Sequence, residues 1–240
     1  MKDGKYILGM MKPSSLGRGE SSAEMSKMLP PNVTTTSAAL GIRDLAGHQL
    51  AAALSRIEDV AAELAARYVD VISMGGTPPV VAGGYGFDAK IIERINRVTP
   101  IPATTSQTSV DAAIRLFGAK RIVLVTPFKD DINQSIITYL HDAGFKVSSL
   151  KTADAPFEEF PKMPASVPYD LALAGVKEAP DAECFFIPCA AWPVSEIIEP
   201  LEKETGLPVI ASAQAGIWGA LRLIGIKTPT PGYGRLLRDH

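Results

Sequence analysis

Short apolar runs alternate with amphipathic stretches along most of this chain, and that alternation constrains the fold more than any other feature. "KYILGMM" (5–11), "VDVISM" (69–74), "KRIVLVTP" (120–127) and "AECFFIP" (182–188) are brief apolar segments, the signature of strands covered on both faces. "NVTTTSAAL" (32–40), "IPATT" (101–105), "FKVSSL" (145–150) and "LPVIAS" (207–212) add four more candidate strands. Helices are expected between them. "HQLAAALSRIEDVAAELAARY" (48–68) carries Leu50, Leu54, Ile57, Ala61, Leu64 and Tyr68 on one stripe and predicts a single helix. Further helices are expected over 87–98, 106–118, 129–144, 169–179, 194–206 with an interruption at Pro200, and 213–225. A Pro-rich loop is expected over 155–168, and 226–240 shows no period. Repeated strand–helix units predict an α/β fold of parallel sheets with right-handed crossovers. Ligands in such folds sit beyond the carboxyl ends of strands, which selects the loops to search for chemistry.

One internal echo goes further. "VISMGGTPPV" (71–80) and "FFIPCAAWPV" (185–194) both run from an apolar strand into small residues and then Pro-Val, 114 residues apart in a chain of 240. The spacing predicts two pseudo-symmetric halves, each a parallel sheet flanked by helices, with their strand-end loops facing one cleft. The first half is taken as 1–117, with 213–240 packing back on it, and the second, carrying Cys189, as 118–212. Aligned without a gap, Cys189 faces Gly75; a shift of one residue makes it face Gly76.

Composition removes several classes of function. Net charge is −2 with no basic stripe, which argues against nucleic acid as a partner. No window approaches a membrane span and "YILGMM" is too short for a signal segment, so a cytoplasmic location is expected. The two cysteines, Cys184 and Cys189, stand about 16 Å apart along an extended strand, beyond disulfide reach. No dinucleotide fingerprint, phosphate loop or nucleophile elbow occurs, and His48, His141 and His240 lack metal-ligand spacing. Asp130 and Asp131 open a helix and complement its dipole.

The strand ends hold the candidate chemistry. Cys189 closes an apolar strand and precedes Ala190 and Ala191, whose small side chains let a ligand reach backbone N–H groups. Such amides can bind an anion and lower a thiol pKa from about 8.5 toward neutrality. A buried, inert thiol is equally consistent with the residues alone; Cys184, inside the strand, reads as core. In the facing loop, the Thr77 hydroxyl and N–H can hydrogen-bond a carboxylate, whereas Pro78 has no N–H to give. "KPSS" places Lys12, Pro13, Ser14 and Ser15 at the end of the first strand, as anion contacts or as a plain turn. Phe128 ends the fifth strand and walls a pocket without donating to it.

Together "LGMMKPSS", "VISMGGT", "VTPFKDDIN", "FFIPCAA", "PVIASAQAGIWGALRL" and "PGYGRLL" resemble the aspartate/glutamate racemase superfamily, and within it the branch of arylmalonate decarboxylase and maleate isomerase. The resemblance implies two pseudo-symmetric α/β halves with the active site between them and no cofactor. Racemases and maleate isomerases of this superfamily use two cysteines; the decarboxylase keeps the second and has glycine at the first. Transferred here, Gly76 takes the first position and Cys189 the second. The implied activity is decarboxylation of a substituted malonate, with one carboxylate on Thr77, Ala190 and Ala191 and with Cys189 protonating an ene-diolate. Isomerisation or racemisation of a small dicarboxylate or amino-acid-like substrate, with Lys12 as second acid/base, is the alternative. The implied partner is a small carboxylate. Pocket walls are expected from the Leu40–Ile42 region, Phe157, Phe160 and Met163. Pro78 and Phe128 stand where the decarboxylase has serine and tyrosine, and Leu16 where maleate isomerase has asparagine, so the carboxylate-binding half of the site is rebuilt.

Overall fold

A computed structural model describes residues 4–13 and 25–240. Its strands form two four-stranded sheets in which every pairing is parallel. The first contains β1 (Tyr6–Lys12), β2 (Val33–Ala39), β3 (Val71–Met74) and β4 (Ala103–Thr105), in the order β2-β1-β3-β4. The second contains β5 (Arg121–Thr126), β6 (Lys146–Thr152), β7 (Cys184–Ile187) and β8 (Val209–Ala211), in the order β6-β5-β7-β8. The two orders are the same, strand for strand.

This symmetry fixes the alignment that the sequence echo leaves open. Met74 pairs with Thr105, and Ile187 pairs with Ala211. The next residues, Ser106 and Ser212, each begin a helix: α5 (Ser106–Leu116) and α9 (Ser212–Leu223). Met74 therefore corresponds to Ile187, and two residues on, Gly76 corresponds to Cys189.

Each sheet is covered on one face by helices of its own half. Met11, Ile72 and Met74 pack with Ile57, Val60 and Leu64 of α2 (Ile57–Ala65) and Ile91 and Ile95 of α4 (Phe87–Val98). Val123, Val125 and Phe185 pack with Ala172 of α7 (Ser166–Glu178) and Ile198 and Leu201 of α8 (Ile198–Thr205). The other faces are covered reciprocally. Helix α5, which follows β4, sets Val110, Ala113 and Ile114 against Ile122, Leu124 and Phe186 of the second sheet, beside Ile136 and Leu140 of α6 (Asp130–Asp142). Helix α9, which follows β8, sets Ile217, Ala220 and Leu221 against Leu8, Met10 and Val71 of the first sheet. Burying each large aliphatic side chain is worth roughly 1.5–3 kcal/mol. The two exchanged helices pack on each other so closely that a Cβ at Gly219 would stand 2.2 Å from Ser109 Oγ.

Several elements differ from the sequence reading. The stripe over 48–68 is two helices, α1 (Gly47–Leu54) and α2, rather than one. At the break Ser55 Oγ donates to the Ala52 carbonyl at 2.7 Å, and Arg56 turns to donate to the Leu40 carbonyl at 3.0 Å; these side-chain bonds compete with helix continuation. Pro200 does not interrupt a helix begun at Val194. Helix α8 starts at Ile198, and Pro200 sits in its first turn, where its missing N–H has no intrahelical partner to lose. Pro168 is accommodated in the first turn of α7 in the same way, shortening the expected loop, which also holds a 3-10 turn over Phe157–Lys162. "TPPVV", read as part of a loop, is the short helix α3 (Thr77–Val81).

The tail contains α10 (Gly234–Asp239), which buries Leu236 and Leu237. Glu202 anchors it: Oε2 accepts from the Arg235 N–H at 2.8 Å, while Oε1 accepts from the Val209 N–H at 3.0 Å. No helix among the described residues is long and apolar enough to cross a membrane.

Candidate active site

In each sheet the first and third strands lie side by side while their onward connections diverge, which opens a crevice at their carboxyl ends. The loops after β1, β3, β5 and β7 meet there around a cavity of about 120 Å³. Lys12, Pro13, Gly76, Thr77, Phe128, Cys189, Ala190 and Ala191 all line it. Ser14 and Ser15 lie outside the described residues. Ile42, Leu45, Phe128 and Phe157 provide apolar wall. Leu40, Phe160 and Met163, expected in the wall, do not reach it. Leu40 is buried in the first core, and Phe160 backs Phe128 edge-to-face at 5.7 Å. Met163 is held by its sulfur, which accepts from Trp192 Nε1 at 3.1 Å.

Cys189 occupies a strained backbone, with φ of 90°, and Gly76, its counterpart, has φ of 98°. Non-glycine residues seldom adopt this region, and the cost, of order 1–3 kcal/mol, concentrates at functional sites. Gly76 is additionally confined, because a Cβ there would stand 2.3 Å from Pro13 Cγ. The first half therefore has no room for a side chain where the second half carries its thiol.

The amides after Cys189 act on the thiol, not beside it. The Ala191 and Trp192 amides near its sulfur draw the pKa down, the Trp192 N–H donating to the Cys189 carbonyl at 3.2 Å, but burial outweighs them and pushes the thiol up to about 12. The expected shift toward neutrality is thus reversed: two amides do not offset the loss of hydration in a largely apolar pocket. At neutral pH Cys189 carries its proton. The Ala191 N–H, expected on a carboxylate, is near enough to the sulfur to lower its pKa. Cys184, fully buried in β7, is likewise raised to about 12 by burial.

Across the cavity, Thr77 is 1% exposed and its Oγ1 has no hydrogen-bond partner in the protein. Phe128 is fixed by buried polar groups: Asn133 Nδ2 donates to its carbonyl at 2.9 Å and Thr152 Oγ1 at 2.6 Å. Lys12, partly buried at the end of β1, has its ammonium pKa lowered by desolvation. Among the described residues no three His, Cys, Asp or Glu side chains converge as metal ligands would.

Three serines in the lining escaped the sequence reading. Ser73 lies inside β3, and Ser106 and Ser212 are the first residues of α5 and α9. The strand-end rule, applied to β4 and β8 as it was to the other strands, finds the last two. Ser73 was legible as the one hydroxyl in an otherwise apolar run.

The arrangement has relatives. The sequence profile of the arylmalonate decarboxylase family matches residues 8–237. Arylmalonate decarboxylase of Bordetella bronchiseptica is 26% identical over 234 residues, covering 97% of this chain and 96% of its own. A maleate isomerase of Pseudomonas putida is 25% identical over 249 residues, covering 97% of each. A crystal structure of a double mutant of arylmalonate decarboxylase in a liganded form superposes with a TM-score of 0.92 at 25% identity, covering 98% of this chain and 100% of that one. With two matching parallel sheets, one cleft and a profile match along nearly its whole length, the chain belongs to the arylmalonate decarboxylase family.

Proposed function

We propose that this protein is a cofactor-free decarboxylase of a substituted malonate-type acid, with Cys189 as the proton donor. One observation carries the reading: a single thiol on one wall of the cavity, facing a counterpart position, Gly76, that has no space for a second. One acid delivers a proton to one face of carbon, which suits a reaction that makes a chiral acid.

In this mechanism the retained carboxylate is held by the Thr77 hydroxyl and N–H and by the Ala190 N–H. Lys12 supplies N–H donors and positive charge in place of the hydroxyl donors absent at Pro78 and Phe128. The leaving carboxylate rests against the apolar wall of Ile42, Leu45 and Phe157, poorly solvated. Its carbon–carbon bond breaks, carbon dioxide departs, and the bonding pair passes into an ene-diolate held by the same donors. Each such donor can be worth roughly 3 kcal/mol in the transition state. The Cys189 S–H then protonates the α-carbon. The thiolate left behind is stabilised by the nearby Ala191 and Trp192 amides until solvent returns its proton.

The test is carbon dioxide release from phenylmalonate and from alkylmalonates, with Cys189→Ala as control. Activity that needs the thiol supports the reading; folded protein that turns over none of these acids refutes it.

Isomerisation or racemisation of a small dicarboxylate is the second reading, favoured by Lys12 in the cavity lining, whose ammonium pKa desolvation lowers. Its signature is deuterium uptake at carbon without carbon dioxide release, lost in Lys12→Met.

A further inference from the structure

Of the three lining serines, all unused by the chemistry above, Ser73 and Ser106 meet on the floor of the cavity. Ser106 is 3% exposed, and its Oγ has no hydrogen-bond partner in the protein. It is the first residue of α5, an eleven-residue helix whose positive end therefore abuts the cavity. Ser73, also 3% exposed, donates to the Gly216 carbonyl at 3.3 Å. Both serines line the cavity and both border Gly216. A Cβ at Gly216 would stand 3.5 Å from Ser73 Oγ and 3.6 Å from Ser106 Cβ, so the glycine leaves a space about one methyl group wide between them and α9.

A buried hydroxyl without a partner is costly, and a ligand group that completes it removes the cost. The two hydroxyls differ in what they offer. Ser106 has a proton to give. Ser73 has committed its proton to Gly216 and presents lone pairs. One donor beside one acceptor matches a ligand group that both accepts and donates. A hydroxyl does so; a carboxylate has only lone pairs and would meet those of Ser73.

We infer that the floor of the cavity is a hydroxyl-binding subsite, and that the natural substrate is a malonate-type acid whose substituent carries a hydroxyl group reaching Ser73 and Ser106. This rests on the decarboxylase reading above for the rest of the molecule.

The experiment compares substrate pairs of equal size: (hydroxymethyl)malonate against ethylmalonate, and meta- and para-hydroxyphenylmalonates against the methylphenyl acids. The quantity read is the ratio of kcat/KM within each pair, from carbon dioxide release. The hydroxylated member of at least one pair should be preferred, and Ser106→Ala should lower that preference about tenfold, the worth of one lost hydrogen bond to a buried group. Gly216→Ala, which meets only ordinary contacts and sits inside a helix, should fold and abolish the preference by filling the space. Ratios near one in every pair, or a preference that both variants leave intact, would overturn the subsite. If no acid releases carbon dioxide, the decarboxylase reading fails, and the same pairs are compared by ligand-induced rise in melting temperature. A larger rise with the hydroxylated member, lost in Ser106→Ala, still supports the subsite; equal rises overturn it.

Discussion

Replacing Cys189 with glycine should leave a more stable protein than replacing it with alanine, although alanine is the smaller change. Both substitutions remove the thiol and its interaction with the neighbouring amides, so that loss cancels in the comparison. What remains is the backbone. At φ of 90° an alanine keeps the strain of a side chain in a glycine region, of order 1–3 kcal/mol, whereas glycine relieves it. Glycine gives back about 0.4–1 kcal/mol through the greater freedom of its unfolded chain. The net advantage of Cys189→Gly over Cys189→Ala is about 1 kcal/mol, or a melting temperature about 2–4 °C higher for a chain of this size. Urea denaturation of the two variants, with equal slopes confirming comparable unfolding, measures the difference directly. Alanine as stable as glycine, or more so, would refute the claim that the thiol is held at an energetic cost.

Gly76→Ala should destabilise by about 2–4 kcal/mol, from its φ of 98° and the collision of its Cβ with Pro13 Cγ at 2.3 Å; adding Pro13→Ala should restore part of the loss in the same denaturation assay. Asp111 accepts from Gln107 Nε2 at 3.0 Å and from the Tyr139 hydroxyl at 3.4 Å, near Asp88 and Arg115, and burial first, then the Asp88 charge, raises its pKa from 3.8 to about 7. Because the folded value lies above the unfolded one, the stabilisation it gives is complete below pH about 4 and lost as pH rises through about 7. Wild type should therefore lose stability relative to Asp111→Asn across that window, by at most about 4 kcal/mol, as thermal melts at a series of pH values would register. Glu202→Ala should cost roughly 2–4 kcal/mol by leaving the buried Val209 and Arg235 N–H groups unpaired, and should raise amide exchange in α10 before it does so in β5.

Strand and helix types were legible wherever one period held over a whole element, as over Phe87–Val98, because burial on a fixed face leaves a trace in composition. The breaks were harder to see. Ser55 and Arg56 end α1 through hydrogen bonds to carbonyls, one of them on Leu40, a partner distant in sequence that no period announces. Prolines misled the reading, because the rule against them applies to helix interiors, and Pro168 and Pro200 both occupy first turns. At the site, strand ends revealed Cys189, Thr77 and Phe128. The protonation of the thiol was not legible, since it depends on how much apolar wall surrounds the sulfur, and that wall comes from both halves. The internal echo left the residue alignment across the halves open, because Gly75 and Gly76 read alike as letters; the family resemblance pointed to Gly76, and strand pairing gives the same residue.

The reciprocal exchange of α5 and α9 bears on how the chain acquires its structure during synthesis. When residues 1–117 have left the ribosome, one face of the first sheet, with Leu8, Met10 and Val71, is met by Met25 and Met28 but still lacks the rest of its cover, Ile217, Ala220, Leu221, Ile226 and Leu237. Meanwhile α5 has only Val81 and its neighbours in the first half to pack on until Ile122, Leu124 and Phe186 emerge. Neither half completes its core before the other, so the nascent chain should behave as one late-closing unit until Leu237 is clear of the exit tunnel, rather than as two domains that fold in turn.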